Sequence, residues 1–472
     1  MFENRARLAR SQRHDLALDC IAAGVEAAHP ERVVRERVAL DDDTLRVAAG
    51  TTTATAHEVD LSGVDRLLVV GGGNAAGTAA EALEGVLGDR IDGGVVVTDD
   101  PVPCERVRVR AGDHPVPAAR NVEATREVIA LARSAGPDDL VLVVVTGGGS
   151  ALLAAPADGI ALADLRATTE ELLASGAAID EVNAVRKHLS AVKGGGLARA
   201  AAPAPVVGLV FSDVVGNDPG TIASGPTAPD PTTYADALAV LDRYGVGVTE
   251  AVREHLEAGE RGERAETPAD PAALGDVTNR VLADSLTALE AAADVASERG
   301  YTPLVLSSRT RGEAREAAKT HVAVAEECAA SGNPVEPPAV LLAGGEVTVA
   351  GAGSGAEGSG DAGGRGRGGP NAEFGVSAAL ELAGGDRPAS AVVAASVDTD
   401  GIDGDSEAAG ALVDGDTAAD PAAAREALAN HTTATYLADR NAAVATGPTG
   451  TNVNDLRVFV VGGRDGAGDT NH

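Results

Sequence analysis

The stretch Leu140–Leu153 reads LVLVVVTGGGSALL. Six apolar, mostly β-branched residues run without a polar break into three glycines and a serine, followed by alanine and leucine. A strand buried on both faces has this continuous apolar character, and glycines at its end let the backbone turn sharply into a helix. The same phrase occurs at Arg66–Gly77, RLLVVGGGNAAG, and at Pro205–Val214, PVVGLVFSDV, which leads into GNDPGTIASGP. GGVVVTDD, residues 93–100, adds another buried strand. Strands alternating with alanine-rich helices predict an α/β fold whose first domain is a doubly wound, mostly parallel, Rossmann-like sheet. Ligands on such sheets collect at the carboxyl ends of the strands, where these glycine turns fall.

The chain has 472 residues, too many for one core, and two domains are expected. The pattern places the first at 1–256, a charged and proline-bearing linker at 257–276, and a second, smaller domain with a mixed α/β sheet at 277–472. That second domain opens with a helix read over Asn279 to Gly300 and ends with a strand at LRVFVVG, residues 456–462. A glycine-rich run at 351–369 holds ten glycines in nineteen residues. Its part 351–362 reads as a flexible insertion and the remainder as ligand-binding.

The net charge is −33, with 71 acidic against 38 basic residues and only three lysines. Periodic apolar segments exclude a disordered acidic chain. An acidic shell that prefers arginine suits a salt-saturated cytoplasm, where the Debye length falls to about 3 Å and self-repulsion is screened. The protein is therefore expected to lose thermal stability as KCl is withdrawn; an unchanged unfolding midpoint in dilute buffer would refute this halophilic reading. The acidity argues against nucleic acid and anionic membranes as partners. Three scattered cysteines indicate neither a disulfide framework nor a zinc motif. The N-terminus has no apolar signal core and no run reaches the length of a membrane span, so a cytoplasmic location is expected.

Candidate chemistry concentrates in a few segments. NAVRKHLSAVKGGGL, residues 183–197, places two of the three lysines, Lys187 and Lys193, beside Arg186 and three glycines. Cationic donors next to flexible backbone are what an anionic ligand needs, although a helix end with dipole-matched cations reads similarly. Glycine turns entering helices offer backbone N–H groups to phosphates, at Gly71–Gly72–Gly73, at Gly147–Gly148–Gly149 with Ser150, and at Gly368–Gly369 before Asn371. Gly71, Gly73 and Gly77 with Asp99 and Asp100 also form a loose dinucleotide fingerprint, for which close helix–strand packing is the alternative. Asp213 and Asp218 follow a strand end, and carboxylates there hold Mg2+ or accept a proton, or else shape the turn. VDTDGIDGDSEAAG, residues 397–410, departs from a calcium loop in its terminal glutamate and its flanks.

These segments, taken in order with AGDHPVP (111–117), SDVVGNDPGTIASGPTAPDPTT (212–233), AGGEVTV (343–349), GRGGPNAEF (366–374) and TGPTGTNVNDL (446–456), resemble the type II glycerate 2-kinases whose C-terminal part is the MOFRL domain. The resemblance implies ATP- and Mg2+-dependent phosphorylation of D-glycerate to 2-phosphoglycerate in a cleft between two α/β domains, by a monomer or homodimer. It implies catalytic roles for Lys187, Lys193, Arg367 and Asp213, and substrate contacts from Ser150, Arg186 and Asn74. Nucleotide would lie on the three glycine turns, with metal at Asp213 and Asp218. The family commonly carries lysine where this chain has Asn74, and some members carry arginine where it has Pro370. Two other readings stand beside the kinase: an NAD(P)-linked hydroxypyruvate reductase, and a divergent non-catalytic paralogue in which Asn74 has removed the charge.

Overall fold

The computed structural model describes residues 1–50, 55–349, 368–385 and 391–463. The chain forms two compact units. One comprises Pro30–Ala283; the other joins Met1–His29 to the chain from Asp284 onward.

The first unit is built on six parallel strands: β1 (Arg66–Gly72), β2 (Ile91–Thr98), β3 (Val107–Ala111), β4 (Asp139–Val145), β5 (Val206–Phe211) and β6 (Val277–Ala283). Their order is β3-β2-β1-β4-β5-β6. The chain winds outward from β1 in one direction and from β4 in the other, so the switch point lies between these two central strands. Every residue of β4 and β5 is buried, as an unbroken Val/Leu run requires when helices cover both faces. A small antiparallel meander, Val38–Asp41, Thr44–Val47 and His57–Asp60, completes this unit.

The second unit contains β7 (Thr302–Thr310), β8 (Ala339–Gly345), β9 (Val392–Asp398), β10 (Gly410–Val413), β11 (Ala443–Val444) and β12 (Asp455–Val461). The order is β7-β8-β12-β9-β10-β11. Only β7–β8 is parallel, so the sheet is mixed. The last strand thus lies inside the sheet, with β8 and β9 on its two sides. Helix Gln12–Ala27 packs its apolar face, including Leu18 and Ile21, into the core made by Val458, Val460 and Leu289.

Two sequence expectations are corrected here. The stretch read as one helix from Asn279 is first an edge strand, β6, and only then helix Ser285–Glu298. Asp284 ends the strand and caps the helix, its carboxylate accepting the Thr287 N–H at 3.1 Å. The domain boundary therefore falls at Asp284 rather than in a linker at 257–276, and Met1–His29 belongs with the second unit. Helix Glu250–Glu260 runs into the supposed linker, and Thr267 beyond it donates to the buried Asp230 at 2.9 Å. The glycine-rich insertion 351–362, Arg365 and the catalytic candidate Arg367 lie outside the described residues.

Candidate active site

The turns after β1 and β4 meet at the switch point and are stitched together. Asn74 N–H donates to Gly147 O at 2.8 Å and Ala75 N–H to Thr146 Oγ1 at 3.2 Å. Gly148 has φ +71°, and a Cβ there would occupy the position of Asn74 Oδ1. Only glycine tolerates both demands. On the other side, Asp213 from the end of β5 brings Oδ2 to 2.5 Å from where a Cβ on Gly147 would stand. Three strand ends thereby bring Asn74, Gly147–Ser150 and Asp213 together. The N–H groups of Gly147 and Gly148 have no hydrogen-bond acceptor among the described residues. The helix that follows, Gly149–Leu152, is a single turn, so the cradle depends on these N–H groups more than on a helix dipole.

Helix Ile179–His188 and the turn after it supply the cations. Lys193 is 3% exposed and donates Nζ to Ser150 O at 2.7 Å. Burial, then the charge of Arg186, holds its amine well below the ordinary lysine range. Arg186 is half-buried, and no hydrogen-bond or ion-pair partner is found for it among the described residues. Burial alone pushes its guanidinium down to about 10. Two neighbouring cations with no acid between them leave the site short of negative charge.

The other candidates separate. Lys187, on the same helix, is an ion pair with the fully buried Asp230 at 3.3 Å. Its charge is neutralised within the fold. His188 next to it is buried, donates Nδ1–H to Ala184 O at 2.7 Å and places Nε2 3.2 Å from the exposed Glu266. Asp218 spends Oδ1 on Gly220 N–H at 3.1 Å and Oδ2 on Thr221 Oγ1 at 2.9 Å, which is turn chemistry. Gly71 and Gly72 are the last residues of β1, paired with Val144 and Val145, so packing accounts for them. Asn74 donates Nδ2 to Asp99 at 3.0 Å, and its buried Oδ1 has no partner among the described residues. One of its two amide N–H groups is therefore committed to Asp99, while the nitrogen also lies 3.5 Å from His114 Nδ1. Among the described residues no group of three or more His, Cys, Asp or Glu is placed to hold a metal. A divalent ion here would rely on one or two carboxylates and on substrate oxygens.

In the second unit, helix Pro370–Gly384 begins at the turn expected to bind nucleotide. Its anion comes from the protein itself. Asp403 accepts Gly369 N–H at 3.1 Å, Asn371 N–H at 2.9 Å and Ala372 N–H at 2.8 Å. The Asn371 amide is equally engaged, donating to Asp455 at 2.7 Å and accepting from Ser396 Oγ at 2.5 Å. Gly369 and Asn371 are thus structural in this arrangement, and Gly368 packs on Thr433. Burial raises the Asp403 carboxyl to about 7 in spite of these donors. Asp403→Asn is expected to cost about 1–3 kcal/mol, because its new NH2 group would face backbone donors rather than accept from them. Equilibrium denaturation checks this, and an unchanged midpoint would show that the turn is held elsewhere.

Sequence reasoning missed Ser224 and Asn183. Ser224 is fully buried and hydrogen-bonded to Ser150 Oγ at 2.6 Å and to Asn183 Oδ1 at 3.0 Å. Nothing in the string IASGP marks Ser224, since its role depends on the left-handed conformations of Ala223 (φ +50°) and Ser224 (φ +60°).

A doubly wound sheet with glycine turns and basic groups gathered at its switch point, in a chain with a second, mixed α/β unit, makes this a two-domain α/β protein. Residues 16–257 match the family described as a domain of unknown function, DUF4147, and residues 339–455 match the MOFRL family. A glycerate 2-kinase of Pyrococcus horikoshii is 37% identical over 400 residues, covering 84% of each chain. A putative hydroxypyruvate reductase of Agrobacterium vitis is 45% identical over 347 residues, 73% of this chain and 75% of that one. The crystal structure of a glycerate kinase from Thermotoga maritima superposes with a TM-score of 0.78 at 35% identity, over 95% of this chain and 99% of that one. The chain belongs to the glycerate kinase family with a MOFRL domain, and is a kinase. No helix among its described residues is long and apolar enough to cross a membrane.

Proposed function

We propose that the protein transfers the terminal phosphoryl group of ATP to D-glycerate, giving 2-phosphoglycerate and ADP. The observation that carries this reading is the half-buried Arg186 and the buried Lys193, basic groups with no acidic partner among the described residues, Lys193 bonded to the Gly147–Ser150 turn. A carboxylate is what such a pair lacks, and a guanidinium fork holds one by donating two parallel hydrogen bonds to it. The open N–H groups of Gly147 and Gly148 suit phosphate oxygens. Phosphoryl transfer needs positioning and charge neutralisation rather than covalent chemistry from the protein. Asp213, half-buried at the end of β5, offers the hard oxygen that Mg2+ takes and can accept the proton of the attacking hydroxyl. Mg2+, when bound, neutralises charge on the phosphate oxygens. The relatives named as glycerate kinases support the substrate, and Arg367 remains a candidate for contacting nucleotide.

The assay is ADP release from ATP and Mg2+ with D-glycerate in multimolar KCl, with the position of the new phosphate read by NMR. Formation of 2-phosphoglycerate is expected. The glycine fingerprint after β1 and the relatives named as hydroxypyruvate reductases motivate the competing reading, which predicts NADH oxidation with hydroxypyruvate and no ADP. Binding of ATP without turnover would instead indicate a non-catalytic paralogue.

Lys193 adds a pH signature. In the window between its depressed value and the ordinary lysine range, the folded protein holds this amine neutral. An anion seated beside it favours the ammonium form, so D-glycerate binding takes up a proton and weakens as pH rises through that window. Calorimetry in two buffers of different ionisation enthalpy checks this; identical apparent enthalpies would remove Lys193 from the binding step.

A further inference from the structure

Three side chains connect the cation helix to the glycine turn, and their hydrogen bonds have a fixed direction. Ser224 Oγ donates to Asn183 Oδ1 at 3.0 Å. A hydroxyl has one proton, so Ser224 has none left for its other neighbour. The 2.6 Å bond between Ser224 and Ser150 must then be donated by Ser150. Ser224 is fully buried, whereas Ser150 is partly open to solvent. What Ser150 Oγ shows to the site is therefore lone pairs alone.

This arrangement is held against local preference. Ala223, Ser224 and Gly225 all have positive φ, which disfavours residues that carry a Cβ. Gly194 N–H to Ser224 O at 3.0 Å and Gly195 N–H to Gly225 O at 2.7 Å pin the loop to the glycine run after Lys193. The same run thus fixes both the cation and the buried hydroxyl.

We propose that Asn183 and Ser224 orient Ser150 as a hydrogen-bond acceptor that selects a hydroxyl on the substrate carboxylic acid. A carboxylate or phosphate oxygen has nothing to donate to Ser150; an alcohol does. The acid function goes to Arg186 and Lys193, and the hydroxyl goes to Ser150. Ser150 would touch the substrate, while Ser224 and Asn183 are positioning residues. This rests on the reading of the site as a glycerate site and adds its selectivity for hydroxy acids over plain acids.

The test compares binding of D-glycerate with that of propionate, the same carbon skeleton without hydroxyls, by calorimetry on the full chain in multimolar KCl. A site built to accept from a hydroxyl discriminates strongly against the analogue that lacks it, so wild type is expected to prefer D-glycerate by about tenfold or more. Ser224→Ala frees the Ser150 proton to point outward. D-glycerate should weaken about tenfold while propionate binds as before or more tightly, a split that general loosening of the site would not produce. Ser150→Ala, at a partly exposed position, should collapse the preference in the same way if the buried variant does not fold. Asn183→Asp has acceptors only and must preserve the direction, so the ratio should stay within about twofold even if the added charge weakens both acids. A ratio unchanged by Ser224→Ala or by Ser150→Ala, or one abolished by Asn183→Asp, overturns the proposal. Failure of wild type to bind D-glycerate at all overturns the glycerate reading itself, and the selectivity falls with it.

Discussion

Arg186→Leu is expected to lower kcat/KM for D-glycerate by two to three orders of magnitude and, in the same protein, to raise the unfolding midpoint. The first effect follows from removing the fork that would hold the carboxylate. Losing one charged donor from a preorganised, partly desolvated site costs roughly 3–4 kcal/mol of transition-state stabilisation. The second follows from the state of Arg186 without substrate. Its guanidinium is half-buried, next to Lys193, and has no partner among the described residues. The folded chain therefore gains nothing from that charge and bears part of its desolvation. A shorter, apolar side chain removes the penalty, worth about 1 kcal/mol, the scale seen where a functional residue is suboptimal for stability. Arg186→Lys keeps a charge but not the planar fork, so its activity should fall between the two. Steady-state kinetics and thermal unfolding in the same high-salt buffer read both effects. An activity within about threefold of wild type would remove Arg186 from the site.

The fold was largely legible because burial on both faces leaves a simple trace. The unbroken apolar runs mark β1, β4 and β5 as buried strands of a mostly parallel sheet, with glycine turns at the carboxyl ends of β1 and β4, as the structure has them. β6 was not legible for the complementary reason. Its first five residues, VTNRV, are only half-buried, and the alternation of an edge strand is easily absorbed into the helix that follows. Within the site, sequence located the cations but not their partners. Arg186 and Lys187 are neighbours in the chain, yet consecutive residues on a helix point about 100° apart. Asp230, which decides the fate of Lys187, lies 43 positions away. The same limit hid Asp403, whose carboxylate reaches back over 30 positions to fill the helix N-terminus that composition offered to a nucleotide. Ordinary turn chemistry explains Asp218, as one of its sequence readings had it.

Lys187→Met should behave in the opposite way to its neighbour, with stability lost and substrate affinity kept. Lys187 and Asp230 have side chains 8% and 0% exposed, so the ion pair lies beyond the reach of salt screening even in multimolar KCl. Removing the lysine strands a carboxylate in the core. Breaking a buried pair from one side typically costs about 3–5 kcal/mol. Asp230 keeps hydrogen bonds from Thr232 N–H at 3.2 Å, Thr232 Oγ1 at 2.7 Å and Thr267 Oγ1 at 2.9 Å, which places the expected loss toward the lower end of that range. Adding Asp230→Leu to the variant removes the stranded charge and should recover most of the loss, since well-packed apolar pairs often match the ion pairs they replace. Chemical denaturation of the single and double variants measures both, and the KM for D-glycerate of the folded fraction should stay within a few-fold of wild type. A single variant of unchanged stability whose kcat falls a hundredfold would show instead that Lys187 leaves Asp230 to act on substrate, and that the chain uses all three cations of this helix and turn in catalysis.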